Sequence, residues 1–189
     1  VIALMPGSRV GERKAHTDTL IETAQSLLEV YPDAKFLIPA TSDKNVKFIK
    51  GRIRVNRTKN IKLIKGKVDE ILSSANIAIA ASGTASLQIA LHKKPMIIIY
   101  KGSWISYFIW KMVRLIPNVS LPNILLNENL VPEMLQHRAT PNLLSEKACE
   151  IIKDKKYLKK IESKFKKLHK DLKRDTSSLI FKIIKPYLK

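Results

Sequence analysis

The chain has 189 residues, 45% of them hydrophobic, which suits one compact domain or one domain with a helical tail. Its formal net charge of +19 favours anionic partners, although a Lys-rich composition alone can produce such a charge. The single cysteine, Cys149, excludes an internal disulfide, and no apolar run reaches the roughly 18–20 residues of a membrane span. Residues 1–5 already have the pattern of a buried strand, so we expect a further part of the protein upstream.

Short apolar runs alternate with helical patterns over the first hundred residues. The apolar runs predict five strands, at residues 1–5, 35–39, 61–64, 76–80 and 95–100. The helical patterns predict helices at residues 14–30, 43–51, 68–74 and 85–92. Continuous apolar strands that alternate with helices are typical of a parallel sheet covered on both faces. The sequence therefore predicts an α/β, Rossmann-like domain.

The pattern changes after residue 103. Residues 104–116 are aromatic and apolar with two cations, which favours either packing on the sheet or a partner subunit, or contact with an anionic membrane surface. Residues 120–123 are predicted to form a loop and 141–152 a helix. From residue 155 a very basic helix carries an apolar seam, formed by Leu158, Ile161, Phe165, Leu168 and Leu172. We predict one domain over 1–140, and basic helices over 141–189 that pack on another domain or a partner subunit.

Three segments follow predicted strands, where open parallel sheets bind ligands beyond the carboxyl ends of their strands. The first is Pro6-Gly7-Ser8-Arg9, named here the arginine loop. Gly7 permits a tight turn or a close approach to a ligand, and the Arg9 guanidinium is suited to forked bonds with phosphate oxygens. The helix that follows adds the positive end of its dipole. A glycine-serine turn before a helix is, taken alone, more often just a helix cap.

The second segment is Ser82-Gly83-Thr84, named here the hydroxyl loop, and the third is the loop that contains Asn123. Two such loops at strand ends of one sheet favour a ligand site more strongly than either alone. Neither matches the dinucleotide fingerprint or the phosphate-binding Walker A loop.

Other chemistries have little support in the sequence. There is no zinc-ligand spacing and no Ser/His/Asp order, so we predict neither a bound metal nor a cofactor. The histidines are scattered and are predicted at surface or helix positions: His16, His92, His137 and His169. Nucleic-acid binding is permitted by the charge, but helix-turn-helix, zinc and aromatic-strand patterns are lacking.

Several motifs resemble those of lipid-A-disaccharide synthases. Residues 4–12 resemble the Leu-Pro-Gly-Ser-Arg-x-x-Glu signature of that family, and residues 81–87 resemble its second motif. Residues 95–100, 119–125 and 130–136 match further blocks, in the same order and at similar spacing over about residues 2–136. The tail agrees only in its helical character.

This resemblance implies a GT-B glycosyltransferase, in which two Rossmann-like domains face each other across a cleft. The chain would be the C-terminal half, which binds the UDP-sugar donor, while an acylated glucosamine phosphate acceptor and the general base belong with the missing N-terminal domain. The family transfers 2,3-diacylglucosamine from UDP to 2,3-diacylglucosamine 1-phosphate with inversion. It further implies a cytoplasmic enzyme, peripheral on the inner membrane, and possible exchange of the last helix in a homodimer. We expect this half alone to bind donor without turnover.

The resemblance also suggests individual roles. Arg9 is predicted to stabilise the leaving diphosphate, with Glu12 either orienting it or capping the helix, and Asn123 is predicted to donate to the diphosphate or sugar. Gly66 is predicted to lie under the uracil or ribose. Gln88 stands where the family usually has Glu, and a neutral amide accepts ribose hydrogen bonds less strongly. The predicted donor-binding residues are Gly7, Ser8, Arg9, Gly66, Ser82, Gly83, Thr84, Gln88 and Asn123. Alternatives are another UDP-sugar enzyme, such as an epimerase or a peptidoglycan glycosyltransferase relative, and a basic nucleic-acid-binding protein.

Overall fold

A computed structural model describes residues 1–56, 58–102, 118–173, 180–181 and 183–187. Six parallel strands form one sheet in the order β3-β2-β1-β4-β5-β6. The strands are β1 (Ile2–Met5), β2 (Phe36–Ala40), β3 (Ile61–Lys65), β4 (Ile77–Ala81), β5 (Met96–Tyr100) and β6 (Glu133–Leu135). This strand order, which reverses beside β1, defines a Rossmann-like sheet and confirms the predicted fold class.

Helices cover both faces of the sheet. They are α1 (Val10–Val30), α2 (Asp43–Asn56), α3 (Val68–Ser74), α4 (Thr84–Leu91), α5 (Leu121–Leu126), α6 (Pro141–Lys153) and α7 (Lys155–Leu172). Short 3₁₀ turns occupy Gln136–Arg138 and Lys185–Tyr187. Among the described helices, none combines the length and apolar character needed to cross a bilayer.

Alternating strand side chains divide the core into two layers. In β1, Ile2 and Leu4 face the layer that contains α1 and α6, whereas Ala3 and Met5 face the layer that contains α4 and α7. Successive side chains of a strand point to opposite faces, so a central strand must be apolar at every position. This requirement is what made the central strands β1, β4 and β5 readable as unbroken apolar runs.

Four local predictions differ from the structure. Helix α1 begins at Val10 rather than residue 14, and α2 continues through Gly51 to Asn56. Residues 121–123, predicted as loop, form the first turn of α5, where Pro122 is tolerated because helix-initial amides need no intrahelical partner. Strand β6 was not predicted, since three residues after a proline are too short to show a period.

Both C-terminal helices pack on the sheet domain of this same chain. Ile161, Phe165 and Leu168 of α7 are buried against the layer around α4, and α6 packs beside α1. Truncating a buried phenylalanine such as Phe165 to alanine usually costs about 3–5 kcal/mol. These three seam residues are therefore buried within this chain. Packing of the basic helices on a further domain or a partner subunit stays a prediction. The aromatic segment at 104–116 lies outside the described residues.

Candidate functional site

The arginine loop connects the carboxyl end of β1 to α1. Gly7 has a φ of +102°, a backbone conformation that residues other than glycine rarely adopt. A Cβ atom built at Gly7 would collide with Glu12 Oε2 and would lie 2.7 Å from the Glu12 Cβ. Glycine is required here for two reasons, because a side chain would strain the backbone and collide with the first turn of α1.

Arg9 and Glu12 form a unit at the start of α1. The Arg9 guanidinium donates to Glu12 Oε1 at 2.8 Å, and the Arg9 backbone N–H donates to Glu12 Oε2 at 3.2 Å. Burial alone would raise the pKa of the Glu12 carboxyl, but the hydrogen bonds from Arg9 outweigh it and lower that pKa. Glu12 therefore caps the helix and also orients Arg9, whose side chain remains 83% exposed.

The underside of the arginine loop is held by polar side chains from α1. Arg13, which is buried, donates to the carbonyl of Ser8. His16 is also buried; its Nε2 accepts from the Lys101 backbone N–H at 2.9 Å, so its Nδ1 carries the proton and faces the Pro6 carbonyl at 3.2 Å. Burial lowers the pKa of His16. The imidazole thus joins the end of β1 to the end of β5.

The sequence pattern does not distinguish His16 from the other histidines, which are predicted at surface or helix positions. One signal was present: His16 precedes Leu20 by four residues and thus lies on the apolar face of α1. A polar residue on such a face must find partners for its polar atoms inside the protein.

The hydroxyl loop connects β4 to α4. Gly83, with a φ of +149°, occupies the N-cap position of α4, and Gly83 and Thr84 are exposed. The Ser82 hydroxyl donates to the Val119 carbonyl at 2.8 Å. No side chain of the N-cap residue caps the start of α4, and the positive end of the helix dipole lies at this loop.

The two loops face each other across one cleft of about 450 Å³ at the carboxyl edge of the sheet. Strands β1 and β4 are neighbours, which brings their loops together. Seven of the predicted donor-binding residues line this cleft: Gly7, Ser8, Arg9, Ser82, Gly83, Thr84 and Gln88. A second cavity of about 500 Å³ is lined largely by apolar residues such as Val30 and Leu158. It contains none of the predicted donor-binding residues.

Gly66 and Asn123 are not among the residues that line the cleft. Gly66 lies after β3, is exposed, and has a φ of +65°; its neighbour Val68 does reach the cleft. The place of Gly66 under a base or ribose stays a prediction.

Asn123 is buried, and both ends of its side-chain amide are engaged. Its Oδ1 accepts from the N–H groups of Leu130 and Val131, at 3.0 and 2.8 Å. Its Nδ2 donates to the Val131 carbonyl and to Glu133 Oε1, both at 2.9 Å. The predicted donation from Asn123 to a diphosphate or sugar is therefore not supported by this arrangement, which uses the amide to shape the chain.

Glu133 completes this arrangement from the edge strand. Its carboxylate accepts from the backbone N–H groups of Val119 and Ser120, each at 2.9 Å, and from the Ser120 hydroxyl at 2.7 Å. Together with the bond to Asn123, these contacts occupy both oxygens. Glu133 is thus a fixed cap on the start of α5 rather than a free base.

The site combines two helix N-termini, two positive-φ glycines and one exposed guanidinium around a cleft at the sheet's switch point. This constellation is typical of Rossmann-like domains that bind phosphorylated ligands such as nucleotides. A family model described as Lipid-A-disaccharide synthetase matches residues 1–184. The chain belongs to the lipid-A-disaccharide synthetase family.

Curated relatives agree with this assignment. A lipid-A-disaccharide synthase from Aromatoleum aromaticum is 38% identical over 191 residues, covering 100% of this chain and 49% of the relative. One from Methylobacillus flagellatus is 33% identical and is covered to 50%. The chain thus spans about half the length of these relatives.

Solved structures support the fold at low sequence identity. TarM matches with a TM-score of 0.60 and 15% identity, over 100% of this chain and 35% of TarM. A putative UDP-N-acetylglucosamine 2-epimerase from Listeria monocytogenes matches with a TM-score of 0.58 and 13% identity, over 85% of this chain and 38% of that protein. These likenesses establish the Rossmann-like fold found in GT-B enzymes.

Proposed function

We propose that this chain is the donor-binding half of a lipid-A-disaccharide synthase. In this proposal it binds UDP-2,3-diacylglucosamine and helps to transfer the acylated sugar to 2,3-diacylglucosamine 1-phosphate, with release of UDP. The observation that carries the proposal is the opposed pair of loops at the carboxyl ends of β1 and β4. Because the chain belongs to the lipid-A-disaccharide synthetase family, a UDP-sugar is the simplest ligand to propose for this cleft.

The chemical demand of such a transfer is to stabilise the negative charge that develops on the departing diphosphate. The Arg9 guanidinium has five N–H donors, of which NH1 is paired with Glu12, so donors remain for phosphate oxygens. The start of α4, which has no side-chain cap, adds the fixed dipole of its helix. Because the loops are held by the protein before ligand arrives, their groups need little reorganisation during the reaction.

The remaining donor contacts are proposed from the position of each residue in the cleft or beside it. Gln88 is proposed to accept from ribose hydroxyls, and Ser8 and Thr84 to donate to phosphate oxygens. Gly66 is proposed to leave room for the base, since nothing lies within 4 Å of a Cβ built there. Asn123 is proposed to act indirectly, through its hydrogen bond to Glu133, which in turn holds the backbone of Val119 at the cleft.

The wider setting is proposed on family grounds. The acceptor domain and general base are assigned to the part of the relatives that this chain does not match, since the Glu12 and Glu133 carboxylates are both committed to hydrogen bonds. The enzyme is proposed to work at the cytoplasmic face of the inner membrane, with the acyl chains of its substrates in the bilayer. A homodimer is compatible with this setting.

Isothermal titration of the chain with UDP tests the central claim. We expect saturable binding that is competed by a UDP-sugar, and an Arg9→Ala variant that binds at least about tenfold more weakly, as expected for loss of a charge-assisted phosphate contact. Arg138→Ala, which removes an exposed arginine outside the cleft, is the matched control and should bind like the parent.

A second titration separates this function from its rival. Single-stranded RNA that binds more tightly than UDP, with an affinity that falls steeply as salt rises, would favour a nucleic-acid-binding protein. Absence of UDP binding by the folded parent would overturn the proposed function.

A further inference from the structure

A polar cluster adjoins the cleft beside Gln88. Asp69, in the first turn of α3, has one carboxylate oxygen that accepts two hydrogen bonds. Gln88 Nε2 donates to Asp69 Oδ1 at 3.0 Å, and His92 Nε2 lies 2.9 Å from the same oxygen. The Ser73 hydroxyl lies 3.4 Å from His92 Nδ1, on the opposite side of the imidazole.

This cluster fixes which end of the Gln88 amide faces Asp69. An ionised carboxylate only accepts hydrogen bonds, so the amide must present its N–H end, because the reverse orientation would place two acceptors 3.0 Å apart. The hydrogen bonds from His92 and then Gln88 lower the pKa of Asp69, so its carboxyl is ionised at neutral pH. With Nε2 committed, the carbonyl Oε1 is turned away from Asp69.

Gln88 itself lines the cleft, whereas Asp69 does not. The two terminal atoms of a glutamine amide diverge, so an N–H end held by α3 leaves the acceptor end for the ligand. The His92 imidazole fixes the carboxylate in turn, because its Nε2 donates to the same Asp69 oxygen. The acceptor at this rim of the cleft is therefore set by residues from two helices.

We propose that Asp69 is a positioning residue that holds the carbonyl oxygen of Gln88 ready to accept hydrogen bonds from the ribose hydroxyls of the nucleotide. The inference rests on the proposed function, because it names the part of the nucleotide that this rim would recognise. A carboxylate at residue 88 would lie within about 3 Å of the Asp69 carboxylate, where like charges repel.

Titrations with UDP, 2′-deoxy-UDP and 3′-deoxy-UDP test this role. The parent is expected to bind UDP more tightly than at least one deoxy analogue, by about threefold to tenfold for a single hydrogen bond. Asp69→Ala should weaken UDP by a similar factor and leave the disfavoured analogue unchanged, so that discrimination is lost. Asp69→Asn, whose Oδ1 still accepts, should retain much of it.

Glu70→Ala is the matched control, since it removes an exposed carboxylate from the same turn of α3 with the same change in net charge. It should bind all three nucleotides like the parent. A structural defect in Asp69→Ala would instead weaken UDP and both analogues equally, and this result would overturn the proposal.

A double-mutant cycle gives a second test, in which one substitution is expected to change UDP affinity in opposite directions in two backgrounds. Gln88→Glu should weaken UDP binding in the parent, where Asp69 repels the new carboxylate, and should strengthen it in the Asp69→Ala background. The same sign in both backgrounds would overturn the positioning role. A parent that binds UDP and its deoxy analogues equally refutes only this inference, whereas a parent that binds no UDP refutes the proposed function and the inference with it.

Discussion

The arginine loop and the segment at residues 119–133 both follow strands at the same edge of the sheet, and both carry a family motif. They use their polar groups in opposite ways. The Arg9 side chain is 83% exposed and the loop beneath it is held by Glu12 and His16. Asn123 is 1% exposed, and all of its side-chain hydrogen bonds are internal. The exposed Arg9 side chain is thus free to reach a ligand, whereas the buried Asn123 side chain shapes the chain around it.

The largest effect is expected from a substitution at Asn123, the buried residue of this comparison. Asn123→Asp keeps the shape of the side chain but places an oxygen 2.9 Å from both the Val131 carbonyl and Glu133. We expect the free energy of unfolding, measured in urea, to fall by about 3 kcal/mol, since buried groups lose their partners. Arg9→Ala should change it by less than about 0.5 kcal/mol.

The contrast would fail if Asn123→Asp unfolded like the parent and yet no longer bound UDP. That result would place the Asn123 amide against the ligand.

A smaller effect is expected from the glycine of the arginine loop. Gly7→Ala combines a disfavoured φ with a collision against Glu12, and should lower the free energy of unfolding by about 1–3 kcal/mol. It should also weaken UDP binding. Gly66→Ala, which meets only strain, should cost about 1 kcal/mol. Calorimetric melting of both variants compares collision plus strain with strain alone. Equal losses would show that Glu12 moves aside without penalty.

The histidine beneath the arginine loop should make stability depend on pH. Because the folded state lowers the pKa of His16, the unfolded state takes up a proton first as pH falls below about 6.5. Stability should therefore be greatest above that pH and decline towards pH 5, with a slope of at most about 1.4 kcal/mol per pH unit, the limit for one proton.

Urea unfolding of His16→Asn between pH 5 and 8 should lack this contribution. The exposed His137→Asn serves as control and should retain it. Identical pH profiles for His16→Asn and the parent would contradict a buried, neutral imidazole.

The smallest effect concerns the link between α7 and the segment after α5. Hydrogen bonds from Lys160 and Lys164 lower the pKa of Glu128 to about 2, so this link contributes above the ordinary carboxyl pKa and is lost as pH falls towards 2. Glu128→Gln should lack that part of the acid unfolding transition, followed by circular dichroism. Glu146→Gln, at an exposed position, should unfold like the parent. High salt should reduce the difference, because both lysines are partly exposed.

The sequence predicted the elements whose pattern is repeated over many residues. The five longer strands, the order of strand and helix, and the two loops of the cleft all follow from apolar period and turn residues. Strand β6 and the start of α5 are set by a single carboxylate, Glu133, which acts across more than ten residues of chain. Periodicity does not register such a contact. The burial of Arg13 and His16 could not be predicted for a related reason. Each is a polar residue whose partners are backbone groups outside its own helix.

The hydrogen bonds of His16 have a consequence for the thermodynamics of ligand binding. Strands β1 and β5 are not neighbours, because β4 lies between them, and the imidazole ties their ends together over it. The spacing between these strand ends is thereby set during folding. A ligand that enters does not have to freeze this part of the loop, so less conformational entropy is lost on association. If a nucleotide binds here as proposed, its affinity gains from this order already present in the unliganded protein.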